Sequence, residues 1–222
     1  MSRAKAWIAW SSGKDSAFAL HVARRMLDCE IVGALTTVTD TFQRVSIHGV
    51  REEVLRAQCD AAGLPLRIVS IPYPCPNEIY EQAMAAAMVA ARGDGVTQMI
   101  FGDLFLADIR AYREQKLAGT GIAPVFPLWG RETAELAREM TAAGLEATIA
   151  AVDCKVLTAD FAGRTFDAAT LAALPPNVDP CGENGEFHTC VSGGPMFARR
   201  IPLRRGETVM RDGFAYADLM LT

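Results

Sequence analysis

Trp7-Ile8-Ala9-Trp10-Ser11-Ser12-Gly13-Lys14-Asp15-Ser16-Ala17-Phe18 is the stretch that decides the architecture. Its first four residues read as a short buried strand, and from Asp15 onward Phe18, Leu20, Val22 and Met26 mark a helix running to Leu27. Between them lies a loop of hydroxyls with one glycine and one lysine. A loop of this kind, ending a strand and opening a helix, gathers backbone N–H groups at the positive end of the helix dipole, and that is a nest for a phosphate chain. Gly13 permits close approach of the backbone, Ser11, Ser12 and Ser16 add hydroxyl donors, and Lys14 adds a point charge. Asp15 would repel phosphates, so its expected roles are capping the helix or holding Mg²⁺.

Outward from the loop, strand-like and helix-like segments alternate. A strand is expected over 31–38, a helix over 50–62 that Gly63-Leu64-Pro65 stops, and a strand over 66–71. Asn77 then stands as the N-cap of an Ala-rich helix ending at Arg92-Gly93, followed by a strand over 98–101 and a helix over 108–117. This spacing predicts right-handed crossovers and a mainly parallel sheet covered on both faces, a Rossmann-like α/β fold. Ligands of such sheets sit at the carboxyl ends of strands, and both the loop 11–16 and Gly102-Asp103 directly follow a strand. Beyond Pro127 the pattern weakens: a helix over 131–143, a strand over 147–152, a short helix over 168–174, a polar glycine-rich stretch over 179–194 and a hairpin-like tail. The expected division is a nucleotide-carrying domain, 1–126, and a smaller C-terminal α/β lobe, 127–222, on the substrate side.

The composition sets outer limits. In 222 residues, 50% hydrophobic and 22% charged, a globular chain finds an ordinary balance. A net charge of −4 argues against a nucleic-acid partner, because phosphate backbones reward basic surfaces. The six cysteines contain no C-x-x-C pair and read as free thiols of a reducing cytoplasm. The apolar stretch 6–10 is too short for a signal peptide, and the run 83–91 falls far short of the about 20 residues of a membrane span. The expectation is a cytoplasmic protein with neither a membrane nor a nucleic-acid partner.

The loop is not a Walker A sequence, which needs Ser or Thr directly after the lysine where Asp15 stands. It resembles the S-G-G-x-D-S signature of the PP-loop ATP pyrophosphatases, with Ser12 in place of the first glycine. Further segments resemble one branch of that superfamily, the diphthine–ammonia ligase family. They are His48-Gly49-Val50-Arg51, Gly102-Asp103-Leu104, Arg110-x-Tyr112-x-Glu114, Pro127-Leu128-Trp129 and Cys181-Gly182-Glu183-Asn184-Gly185-Glu186-Phe187-His188-Thr189. They follow the family's order and span nearly the whole chain. The resemblance implies a PP-loop fold and cleavage of ATP between the α and β phosphates, with Mg²⁺. An adenylated carboxylate acceptor would then be amidated by ammonia or another amine. It implies nucleotide binding by Ser11, Ser12, Gly13, Lys14, Asp15 and Ser16, joined by His48 and Gly102. Lys14, Asp103, Glu183 and Glu186 are the expected catalytic groups, with Glu183 or Glu186 as the base toward the amine. Asp15 and Asp103 are the expected Mg²⁺ ligands.

Other readings of these residues compete. A nucleotide-binding sensor without turnover would need the same loop. Sulfur transfer to RNA would call for a catalytic cysteine pair or persulfide donor and a basic face, and neither is evident. Cys181, His188 and Cys190 fit no standard zinc spacing, and Gly119-Thr120-Gly121 follows a helix and lacks the third glycine of a dinucleotide fingerprint. Arg110 and Tyr112 are expected to pack or pair structurally, and the pairs Arg199-Arg200 and Arg204-Arg205 to lie on a solvated hairpin face.

Overall fold

The computed structural model describes residues 3–222. Its first part runs β1 (Ala4–Ala9), α1 (Lys14–Met26), β2 (Cys29–Thr39), β3 (Arg44–Val45), α2 (Glu52–Ala62) and β4 (Leu66–Ile71). It continues with α3 (Asn77–Gly93), β5 (Val96–Ile100), α4 (Ala107–Leu117) and β6 (Ala123–Val125). The rest comprises α5 (Thr133–Ala142), β7 (Glu146–Asp153), a short 3-10 turn (Ala159–Phe161), α6 (Ala168–Ala173), β8 (Phe187–Gly193), β9 (Leu203–Arg211) and β10 (Phe214–Leu221).

Ala6, Trp7 and Ile8 are buried on both faces of β1, as a central parallel strand requires. The first sheet has the order β3-β2-β1-β5-β6, with β4 also pairing β2; every pairing is parallel except that of β3. From β1 the chain first builds outward through β2 and β4, then returns to place β5 on the other side. The strand order therefore reverses at β1, and the crevice of such a sheet opens at that carboxyl end. The loop 11–16 sits at this point.

The second sheet is antiparallel, in the order β8-β7-β10-β9. All four of its strands, with α5 and α6, follow residue 127. Its apolar face shares one core with the first sheet: Trp10 and Phe18 pack in the same cluster as Leu136, Ile149, Phe187 and Leu219. A smaller cluster around Trp7, Met99, Phe101 and Leu117 covers the other face of the first sheet.

The structure corrects two caps. Asn77 is the first helical residue of α3 and Pro76 occupies the N-cap, its φ of −61° being ready-made for the turn into the helix. Asp15 does not cap α1: Gly13 is the N-cap without a side-chain bond, and the Asp15 carboxylate accepts from Lys14 Nζ instead. Strand β3 lies in the stretch read as a plain connector, and β8 in the stretch read as a polar loop. Among the described residues, no helix is long and apolar enough to cross a membrane.

One ion cluster ties the sheets together. Asp218 on β10 takes Arg51 at both oxygens, 2.9 and 2.7 Å, and Arg44 of β3 at 2.9 Å. Hydrogen bonds from Arg51 hold its carboxyl down to about 2, against the opposing effect of burial and with help from Arg44. A depressed folded value stabilises above the unfolded carboxyl value of about 3.9. That contribution is lost as pH falls through the window from about 4 to about 2. Asp218→Asn is expected to cost about 2 kcal/mol at neutral pH. It should also flatten the acid limb of stability in that window, as urea unfolding midpoints across pH would record.

Candidate functional site

A cleft of about 1230 Å³ opens at the carboxyl ends of β1, β2 and β5, with the loop 11–16 at its base. Pockets for single drug-sized ligands run to about 300–1,000 Å³, so this one has room for two ligands side by side.

The loop is wired largely to itself and to β8. Ser16 Oγ donates to Gly13 O at 3.0 Å and lies 3.1 Å from Ser11 Oγ, while the Gly13 N–H donates to Ser11 Oγ at 3.3 Å. Ser12 adopts a left-handed φ of 69°, a conformation that favours glycine, and its buried hydroxyl has no partner among the described residues. From β8, the Val191 N–H donates to Ser12 O at 3.0 Å, and Thr189 Oγ1 accepts the Lys14 N–H at 2.9 Å. The amino end of α1, with Asp15 and Ser16 in its first turn, therefore points into the cleft with the loop braced behind it.

Gln58 completes the bracing, and the sequence reading did not find it. Fully buried in α2, it accepts from Trp10 Nε1 at 3.1 Å and donates to Ser12 O at 3.1 Å and Val191 O at 2.7 Å. One side chain thus fixes the end of β1, the loop and β8 together. A lone glutamine on an amphipathic helix gives no sequence sign of this.

Gly102 faces the loop from β5. A Cβ there would stand 2.8 Å from both Asp15 C and Ser16 N, so only glycine permits this approach. Gly13 is hemmed in likewise by His48, whose Cε1 would lie 2.7 Å from an added Cβ. His48 Nδ1 donates to Thr189 O at 3.3 Å, and its ring lies 4.6 Å from that of His188. Burial pushes His48 down to about 4 and His188 well below the ordinary range, so both rings are neutral.

The charged residues fall into two groups. Lys14 is buried, and its Nζ donates to both Asp15 oxygens, at 3.0 and 2.8 Å, and to Cys181 O. It stands over the Phe166 and Phe187 rings at 5.6 and 5.5 Å. Burial is the largest single effect and opposes its charge, but Asp15, Cys181 and Glu183 together outweigh it and the amine is held above its ordinary value; burial raises the Asp15 carboxyl in turn. All three ammonium donors are thereby engaged, a placement different from a free point charge over phosphates. Asp103 is bound bidentately by Arg113, at 2.7 and 3.1 Å, and Arg113 lies over Phe101.

The two glutamates part company. Glu183 lines the cleft and accepts the Leu104 N–H at 2.7 Å; burial raises it to about 7, against that hydrogen bond, with a further push from Asp15. Glu186 is turned into its own loop, accepting from the Asp179 N–H and from Asn184 Nδ2, both at 3.0 Å. Ser11, Lys14, Asp15, Ser16, His48, Gly102, Asp103 and Glu183 thus line one cleft, whereas Ser12, Gly13 and Glu186 do not line it. Arg110 pairs with Glu114 and lies over Phe126 and Trp129, the structural pairing that was expected, whereas Tyr112 lines the cleft.

Comparison with known proteins follows the same lines. Residues 132–219 match the profile of the Diphthamide synthase C-terminal domain. A diphthine–ammonia ligase of Rattus norvegicus is 32% identical over 103 residues, 44% of this chain and 39% of that protein. The Homo sapiens protein of the same name is 32% identical over 103 residues, with the same coverage. That of Schizosaccharomyces pombe is 31% identical over 93 residues, 40% of this chain and 15% of its relative. The chain thus covers well under half the length of these relatives. Through the C-terminal match and these relatives together, the chain is similar to the diphthine–ammonia ligases.

Proposed function

We propose that this chain is an ATP-dependent ligase that forms AMP and pyrophosphate, adenylating a carboxylate and then amidating it with ammonia. The observation that carries this reading is Glu183, a carboxylate raised to about 7, in the same cleft as the phosphate-type loop and the amino end of α1. A group at that value is half ionised near neutrality, where it can take a proton from an attacking amine. The loop amides and the helix dipole would hold the departing pyrophosphate. Residues 1–126 would carry the nucleotide and 127–222 the acceptor side, with β8 and Glu183 bridging the two.

Mg²⁺ fits this arrangement as a companion of the nucleotide. Asp15 and Asp103 both line the cleft and each already faces a cation, Lys14 and Arg113. Among the described residues, no three His, Cys, Asp or Glu side chains are gathered as a metal cage. One or two carboxylates with phosphate oxygens are the usual surroundings of Mg²⁺, and the ion would neutralise charge developing on the leaving pyrophosphate. The acceptor is a carboxylate whose identity the family name alone does not carry over to this chain.

A nucleotide sensor without turnover is the second reading, favoured by the full engagement of Lys14 Nζ. Products decide between them. With ATP, Mg²⁺, ammonia and a panel of carboxylic acids, AMP and pyrophosphate are expected in equal amounts. ADP and phosphate as products would overturn the α–β cleavage, and tight ATP binding with no product from any acid would favour the sensor.

A further inference from the structure

We propose that Arg211 is the recognition residue for a second anionic group on the acceptor, so that the acceptor is a dianion with one carboxylate to be activated and another carboxylate or a phosphate to be gripped. The proposal rests on the ligase reading above and adds the acceptor's chemical class. It starts from the pairing of the cations that line the cleft. Lys14 is matched by Asp15, Arg44 by Asp218, Arg113 by Asp103 and Lys116 by Glu81. Arg92 donates to the carbonyl oxygens of Val96 and Gly121. Arg211, at the end of β9, has neither a carboxylate nor a hydrogen-bond acceptor among the described residues, although it lines the same cleft.

Its position is nonetheless fixed. The guanidinium lies 4.4 Å from the centre of the Phe42 ring and 4.9 Å from that of Tyr216, held between two π faces. The neighbouring Asp212 carboxylate, the obvious local partner, accepts the Tyr73 hydroxyl at 2.8 Å instead. A guanidinium held by its faces keeps its in-plane N–H donors available, and five donors in a planar fork suit a carboxylate or phosphate. On a chain of net charge −4 an unmatched cation in a cleft is not part of a general surplus.

Its place relative to the loop separates this anion from the nucleotide. Tyr216 packs on Gly49, where an added Cβ would meet its ring at 2.6 Å, and the adjacent His48 packs on Gly13. The side chains of His48 and Tyr216 therefore stand in sequence between the loop and Arg211. An anion at Arg211 is a second group beside the phosphate chain, in a cleft with volume for two ligands.

The test is calorimetric titration of the full chain loaded with α,β-methylene-ATP and Mg²⁺, using propionate, succinate and 3-phosphonopropionate as probes. Both dianions are expected to bind at least tenfold more tightly than propionate, and the stronger of the two identifies the second group as carboxylate or phosphorus oxyanion. Arg211→Gln should abolish the preference and Arg211→Lys should keep part of it, with α,β-methylene-ATP affinity within twofold of the original. Equal binding of propionate and the dianions, absence of dianion binding, or a preference that survives Arg211→Gln would each overturn the proposal. So would an equal loss of α,β-methylene-ATP affinity in Arg211→Gln, which would assign the arginine to the nucleotide. If the original chain binds no α,β-methylene-ATP, the ligase reading fails by itself, and the dianion preference is then read on the unloaded chain.

Discussion

Replacing Gly102 with alanine is expected to lower AMP-forming turnover roughly a hundredfold and to weaken binding of α,β-methylene-ATP, with only a modest loss of stability. The reason is steric. The added methyl would meet two backbone atoms, Asp15 C and Ser16 N, at 2.8 Å, and no rotamer relieves a contact made by Cβ itself. Either β5 or the amino end of α1 must move, and α1 is tied to β8 through the Lys14 N–H and to Gln58 through Ser12 O. A shift of about 1 Å in a positioning element can cost about 10²-fold in rate, while overpacking by one methyl typically costs about 1–3 kcal/mol. Gly93→Ala is the control: an added Cβ meets nothing within 4 Å at the end of α3, so neither affinity nor turnover should change. Unchanged nucleotide affinity in Gly102→Ala would show that the approach of β5 does not set the position of the loop.

Gly102 also marks the limit of what the chain's letters convey. Its place after a strand was legible, because strands alternating with helices leave their carboxyl ends in one crevice. The backbone it faces was not, since Asp15 lies 87 positions away in sequence and nothing local records the approach. The same holds for Asp218 with Arg44 and Arg51, a contact between the two ends of the chain. Strand β8 escaped for a different reason. Its alternation of buried Phe187, Thr189 and Val191 is present, but the glycines and acids just before it mask the period. Strand β6 is three residues long and contains Pro124, tolerable there because β6 is an edge strand but a poor signal of any strand. Within the site, the loop, Gly102, Asp103 and Glu183 were readable as a set, because each sits at a strand end or in a motif too rich in glycine and acid for an ordinary turn. The directions of Lys14 Nζ and of Glu186 were not, since they depend on which partners the second sheet presents.

That divergence between the two glutamates gives the other large effect. Glu183→Gln keeps the size of the side chain and leaves an oxygen to accept the Leu104 N–H, so only the charge and the basicity are removed. Turnover to AMP is expected to fall by about 10²–10⁴, the usual worth of a positioned general base, with α,β-methylene-ATP affinity nearly unchanged. The pH profile carries the sign. A base must be ionised to act, and Glu183 ionises above about 7, so kcat/KM of the original chain should rise with pH through that value and level off beyond it. In Glu183→Gln this limb should vanish. Glu186→Gln should behave oppositely: the side chain is turned into its own loop, where one oxygen accepts both the Asp179 N–H and the Asn184 amide and glutamine keeps that oxygen, so the limb near pH 7 persists. A rising limb that survives Glu183→Gln but is lost in Glu186→Gln would reverse the assignment. It would mean that the loop between Asp179 and Phe187 rearranges before the amine is attacked, carrying Glu186 into the cleft.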